Sequence, residues 1–217
     1  MVLQKKDFIE IEFTGKTKEG EIFDSNIKED LKKANLKVEP KPFIFCLGEG
    51  MFLKAIEDFL IGKEIKEYFL ELPTEKAFGK RNSALVQVFP AKMFREHKVN
   101  PVPGVIFSFD GKPAKIISVS GGRIMVDFNN LLAGKDVNYK IKVMRKVEDI
   151  NEKIKAFNEF LFRRNFDFEV KEKVLILKVE KDIIQFIELF KEKYKEVLDL
   201  DLEVVEETSH KKDKKQA

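Results

Sequence analysis

"FIFCLGEGMFLKAIEDFLIG" runs from residue 43 to residue 62. A short apolar strand leads into a G-x-G turn and then an amphipathic helix, which is the outline of a phosphate-binding loop. The chemistry speaks against that reading. A dinucleotide loop needs a third glycine three residues on, where helix and strand pack closely, and Leu53 stands there. A P-loop needs G-K-[ST], but Met51 and Phe52 follow Gly50. Glu49 would also set a negative charge against a phosphate at the helix N-terminus. The stretch offers instead a strand end and a helix whose first turn presents Phe52, Leu53 and Ile56. A lone amphipathic helix buries such a face as core, so the flanking sequence has to decide its role.

Upstream, residues 8–13 alternate as a strand, and "EIFDSN" starts a second one after the Glu19-Gly20 turn. "IKEDLKKANL" (27–36) reads as a charged helical excursion, "KPFIFCL" (41–47) and "IKEYFLEL" (65–72) as further strands. Antiparallel strands around one helix make an α+β unit. From residue 86 to 131 the texture changes. "FPAKMFREH" predicts a short helix with proline near its start, and "VNPVPG" a connector. "VIFSF", "KPAKIISVS" and "RIMVDF" predict strands separated by the hairpin signals Asp110-Gly111 and Gly121-Gly122. "NYKIKVMRKVE" (138–148) then resumes the first texture. The economical account is a small all-β domain inserted in a loop of a larger one.

Residues 150–217 alternate helix and strand. Ile150, Ile154, Phe157 and Leu161 form one helical stripe, and Ile183, Ile187, Phe190, Tyr194 and Val197 another; "KVLILKV" and "LDLDLEV" read as strands. So small a unit buries little and leaves sheet edges open, so pairing with a second copy is expected. The basic tail "TSHKKDKKQA" reads as solvated.

Composition narrows the classes. The chain carries 21 phenylalanines, 3 tyrosines and no tryptophan, so its rings bring few polar tips. Net charge is +3 on 79 charged residues, which gives no strong field for nucleic acid. The single cysteine, Cys46, lies in an apolar strand and is expected to be an inert core thiol in a reducing compartment. No apolar run of about 18 residues occurs and no signal-peptide pattern opens the chain. A cytoplasmic protein without membrane contact is expected. His97 and His210 stand far apart and far from Cys46, so no metal cluster and no cofactor is expected.

Read together, "IEFTGKTKEGEIFDSN", "PFIFCLGEGMFLKAIEDFLIGKE", "PTEKAFG" and "LLAGKDVNYKIKV" resemble, in order and spacing, the FKBP-type peptidyl-prolyl isomerases. The inserted residues resemble the insert-in-flap domain of the SlyD-like branch, and the extra C-terminal segment resembles the long archaeal members. The resemblance implies an α+β fold: an antiparallel half-barrel sheet wrapped on one helix. Its domains would be 1–85 with 132–149 for the isomerase, 86–131 for the insert, and 150–217 for a C-terminal α/β domain that dimerises.

The same resemblance implies a pocket. Its wall would be Phe13, Phe23, Asp24 and Phe43, its rim Phe52 and Leu53, and its floor Ile56, with Phe78, Leu132 and Tyr139 closing it. Eukaryotic members usually carry tyrosine at the positions of Phe13 and Phe78 and tryptophan at Ile56. Two ring hydroxyls are therefore missing, one of which would pair with the Asp24 carboxylate. For the insert the resemblance implies a grip on unfolded, proline-containing chains, with Phe89, Met93, Phe94, Val105, Phe107, Ile116 and Met125 as candidates. At least half of these must serve the insert's own core. A holdase that has lost catalysis is the alternative. Nucleic-acid binding through the tail is the least favoured reading.

Overall fold

The computed structural model describes residues 1–96, 99–109 and 111–207. His97, Asp110 of the Asp110-Gly111 signal, and the tail 208–217 lie outside the described residues. In chain order the elements are β1 (Phe8–Thr17), β2 (Ile22–Ser25), α1 (Lys28–Lys33), β3 (Phe43–Cys46), α2 (Lys54–Leu60) and β4 (Glu67–Leu72). Next come β5 (Val86–Pro90), α3 (Ala91–Glu96), β6 (Ile106–Phe109), β7 (Lys112–Ser120), β8 (Arg123–Asp127) and β9 (Val137–Lys146). The chain continues with α4 (Ile150–Phe162), β10 (Asp167–Lys171), β11 (Val174–Val179), α5 (Ile184–Glu188), α6 (Lys191–Leu198) and β12 (Asp201–Glu206). β2, β1, β9 and β4 follow in that order in a five-stranded sheet whose fifth member, β3, pairs with β1. Two compact units form: Met1–Thr14, Ser25–Tyr68 and the chain from Lys140 on make one, Gly15–Asp24 and Phe69–Tyr139 the other.

In the first unit, β1 and β3 run antiparallel with Ile11 opposite Phe43, Ile9 opposite Phe45, and Phe8 opposite Cys46. Side chains alternate across a strand, so Ile9, Ile11, Phe13, Phe43 and Phe45 share one face. Phe8, Ile44 and Cys46 occupy the other face, where they join the core formed by α4, β10, β11, β12 and α6. Both faces of this pair are therefore covered. Cys46 is fully buried, and burial pushes its thiol up to about 12, so almost no thiolate exists at neutral pH.

The C-terminal segment departs from its sequence pattern in two places. Its second helical stripe is broken into a 3₁₀ turn, α5 and α6. An additional strand, β10, precedes β11, giving a sheet in the order β10-β11-β12 with β11 and β12 parallel. The turn between β10 and β11 takes its left-handed residue from Glu172, φ 53°, and carries no Asn-Gly or Asp-Gly signal. The segment's apolar faces pack on Phe8, Ile44 and Cys46 of the same chain, while β10 and β12 stay at the edges of their sheet.

The second unit contains a four-stranded antiparallel sheet in the order β5-β8-β7-β6. Its edge strand β5 is one the sequence pattern does not predict. Only "VQVF" carries it, and Pro90 ends it, as proline does on edge strands. Phe94, Ala114, Ile116, Ile124 and Val126 form the core of this sheet with α3, and Phe89, Phe107, Phe109 and Phe128 pack against them. Among the described residues, no helix is long and apolar enough to cross a membrane.

Candidate functional site

Aromatic rings gather in both units. In the first, Phe52 lies 5.0 Å from Phe13, 5.1 Å from Phe43 and 5.6 Å from Phe45 between ring centroids, all tilted or edge-on. Such geometry places positive ring edges on negative faces. β1 supplies Phe13, β3 supplies Phe43 and Phe45, and the loop before α2 supplies Phe52. Ile56, on the first turn of α2, is fully buried.

Phe52 and Leu53 do not belong to the first helical turn, contrary to the expectation from spacing. The helix begins at Lys54, and Leu53 is its extended N-cap. A buried carboxylate explains the difference. Glu57 accepts from the backbone N–H groups of Gly48 (2.8 Å) and Gly50 (3.1 Å) on Oε2, and of Phe52 (2.7 Å) on Oε1. Its residue is 1% exposed. The amides that a phosphate would need are already taken by the chain's own anion, and the loop turns through residues 47–52 before Leu53 enters the helix extended. Gly48 (φ 87°) and Gly50 (φ 70°) supply the left-handed turns that other residues adopt at a cost. Glu57 could have been flagged from sequence, because a carboxylate beside Ile56 and three residues before Leu60 falls on an otherwise apolar stripe.

In the second unit, Phe23 meets Phe78 edge-on at 5.6 Å and Tyr139 edge-on at 5.7 Å. Gly15 makes the room: a Cβ there would lie 2.7 Å from the Phe23 ring and 3.0 Å from that of Tyr139. Tyr139 is buried, and that burial, with the nearby Asp24 carboxylate, pushes its phenol well above the ordinary range. Asp24 itself is exposed and Leu132 half-buried. "PTEKAFG" and "LLAGKD" are brought together, since Gly134 N–H donates to the Gly79 carbonyl (2.8 Å) and Thr74 donates twice to Asp136 (2.9 and 3.0 Å).

The insert candidates divide. Phe94 and Ile116 form its core, and Phe89 and Phe107 pack against it, while Met93 is half-buried. Val105 and Met125 are exposed. Sequence reasoning missed Val88, Ile106 and Ile117, which are also exposed. Val88 stands opposite Met125 in the sheet register, so β5 and β8 present an apolar pair to solvent.

Residues 81–82 and 127–129, which flank the four-stranded sheet, are joined by a polar lock. Arg81 pairs with Asp127. Asn82 N–H donates to Asn129 Oδ1 (2.8 Å), Asn129 Nδ2 donates to the Asn82 carbonyl (3.0 Å), and Asn129 N–H donates to Asp127 (2.9 Å). Burial works to raise the Asp127 carboxyl, but the Asn129 donors and the Arg81 charge outweigh it and hold it below the usual range. Its folded pKa is thus depressed, so this stabilisation is fully present above the unfolded value of about 3.9. It is lost as pH falls through the folded value. Asp127→Ala is expected to cost about 2–4 kcal/mol in urea unfolding at pH 7, with the gap to wild type closing in acid. A gap that stays constant down to the acid limit would dismiss the lock.

Among the described residues, no group of three or more His, Cys, Asp or Glu side chains could hold a metal ion.

Residues 2–94 match the family of FKBP-type peptidyl-prolyl cis-trans isomerases, and residues 87–132 match the family described as the FKBP26 IF domain. The chain is 32% identical to a short-type peptidyl-prolyl cis-trans isomerase of Methanocaldococcus jannaschii over 146 residues, 65% of this chain and 92% of that protein. It is 33% identical to an FKBP-type 16 kDa peptidyl-prolyl cis-trans isomerase of Escherichia coli over 110 residues, 48% of this chain and 73% of that protein. A SlyD isomerase of Aeromonas hydrophila is 25% identical over 138 residues, 62% of this chain and 60% of that protein.

Proposed function

The chain belongs to the FKBP-type peptidyl-prolyl cis-trans isomerases and is an isomerase enzyme, and on that premise we propose that it is a folding enzyme that also holds its clients. Rotation about an X–Pro bond is opposed by amide resonance, a barrier of about 18–20 kcal/mol, and takes tens of seconds or more unaided. No covalent bond has to be exchanged. A twisted amide has a smaller dipole than a planar one, so a dry apolar wall favours it over the ground state. Lowering the barrier by about 4 kcal/mol gives on the order of a thousandfold.

The observation that carries this reading is the cluster of Phe13, Phe43 and Phe52 within 5.0–5.4 Å of one another, with Ile56 buried behind the loop. These residues and Leu53 receive the prolyl ring. Phe23, Asp24, Phe78, Leu132 and Tyr139 are assigned to the flanking peptide. The fold is read as a half-barrel on α2, with an inserted client-binding domain at 86–131 and a C-terminal domain from 150 on. The exposed apolar residues Val88, Val105, Ile106, Ile117 and Met125 support a client surface on the insert. The sheet edges β10 and β12 and the exposed Phe186 and Leu189 support a homodimer through the C-terminal segment. The lone buried thiol supports a cytoplasmic setting.

The test is an isomerase assay on the full chain. Acceleration of both a short proline peptide and a proline-limited refolding protein, at substoichiometric enzyme, is expected. Suppressed aggregation without acceleration of either would make the protein a holdase on an isomerase scaffold and overturn the reading.

A further inference from the structure

The loop Leu47–Leu53 is gripped from two sides. On one side Glu57 takes the N–H groups of Gly48, Gly50 and Phe52. On the other, the side chains of the intervening residues reach the C-terminal segment. Glu49, whose side chain is only 3% exposed, pairs with Lys193 of α6 at 2.6 Å. Met51 packs into the core that holds α4, α6 and β11, and its sulfur accepts from Cys46 N–H at 3.2 Å. α6 is itself fixed, because Tyr194, Val197 and Leu198 are buried in that core. Lys193 also meets Glu196 (3.2 Å), and Lys6 donates to the Glu196 carbonyl (3.0 Å). The Glu49 carboxylate, against the lysine's own partial burial, raises the Lys193 ammonium above its ordinary range.

We propose that α6 is a positioning element of the isomerase, with Lys193 and Glu49 as positioning residues that set the loop carrying Phe52. The inference rests on the reading that Phe52 contacts the prolyl substrate. Its physical content is simple. A carboxylate so shielded needs its cation, because an unpaired buried charge is strongly disfavoured. Without Lys193, Glu49 turns outward to water and drags the backbone between Gly48 and Gly50 with it. The rings of Phe13 and Phe43 stay on their strands, so what changes is the placement of Phe52 against them. Displacement of about 1 Å at a binding group is enough to lose rate.

The experiment uses the full chain and a proline tetrapeptide, with kcat and KM read separately and the backbone amides of Gly48, Gly50 and Phe52 followed by NMR relaxation dispersion. Lys193→Met and Glu49→Gln are each expected to lower kcat about three- to tenfold and to broaden those amides. The double variant should be no worse than either single one. The exchanged pair Glu49→Lys with Lys193→Glu should regain at least half of the lost rate. Lys173→Met, which breaks the exposed pair with Asp199, serves as the control for charge and should leave kcat unchanged. If Phe52→Ala lowers activity while the Lys193 and Glu49 variants turn over like wild type, the positioning inference is overturned and the site reading stands. If Phe52→Ala is itself silent, the site reading falls and takes the inference with it. Should Lys193→Met also melt early, the exchanged pair decides: recovered melting temperature with kcat still low overturns the inference.

Discussion

Glu57→Gln is expected to lower stability by about 2–3 kcal/mol and isomerase kcat/KM more than tenfold. The reason lies in donor and acceptor counts. The carboxylate presents two acceptor oxygens to three backbone N–H groups, with distances of 2.7–3.1 Å. A glutamine keeps one of those oxygens and turns an NH₂ toward the rest, setting donor against donor. At least one buried amide then loses its partner, and each such loss costs about 1–3 kcal/mol. The charge-assisted character of the remaining bonds disappears as well. Activity suffers beyond stability, because one of the three amides is that of Phe52. Glu57→Ala is the harsher test, since it removes all acceptors and leaves space on the inner side of α2. Urea unfolding and peptide turnover on the same preparations check both parts. A Gln variant within 0.5 kcal/mol of wild type (a fraction of one buried hydrogen bond) and equally active would remove Glu57 from the account.

If the proposed client-holding role is right, excision of residues 88–125 should separate peptide turnover from assisted refolding. β5 and β8 are antiparallel neighbours, with Gln87 opposite Val126, so residues 88–125 can be replaced by Asn-Gly, which closes a two-residue hairpin. That cut leaves Arg81, Asp127, Asn82 and Asn129 in place. Turnover of a short proline peptide is expected to change less than about threefold, because the peptide is too small to use a second grip. Acceleration of a proline-limited refolding protein should fall about a hundredfold, the lower range of what tethering to a second site contributes. Equal losses on both substrates would mean that the insert shapes the catalytic loops, and equal retention would leave it without a role in folding.

How much of this was legible beforehand depended on which interactions were local. The alternation at residues 8–13 and the stripe Ile150, Ile154, Phe157 and Leu161 mark real elements because each pattern reports one buried face. Strands β5 and β10 escaped because each has too few inward apolar side chains to set a period, Phe168 and Val170 on β10 and Phe89 before the terminating Pro90 on β5. The stripe from Ile183 to Val197 promises one helix, but the chain breaks it around Leu189 and Phe190, which no local propensity demands. At the site, ring positions were readable by resemblance. The carboxylate that shapes the loop showed only as a charge on an apolar stripe, and its role stayed hidden because its partners are backbone amides with no signature of their own. Glu49 looked like a charge that merely excluded phosphate, because its cation lies 144 residues away.

A strand pair covered on both sides keeps only part of the usual guard against misalignment. Where one face is wet, a slip of one residue drives polar groups inward and is rejected at once. Here such a slip would trade Phe8 and Cys46 for Ile9 and Phe45, apolar for apolar, and it is the inward turn of Glu10 and Glu12 that opposes it. The alignment must therefore be written in polar marks along the strand. Asn26 provides one, accepting from Phe13 N–H at 2.8 Å and donating to the Ile11 carbonyl at 2.8 Å. Glu10 provides another through Arg145, which Glu152 of α4 holds from the far side. In this chain the hydrophobic groups supply adhesion, and the alternating glutamates of β1, one asparagine and one arginine fork hold the strands in their native alignment.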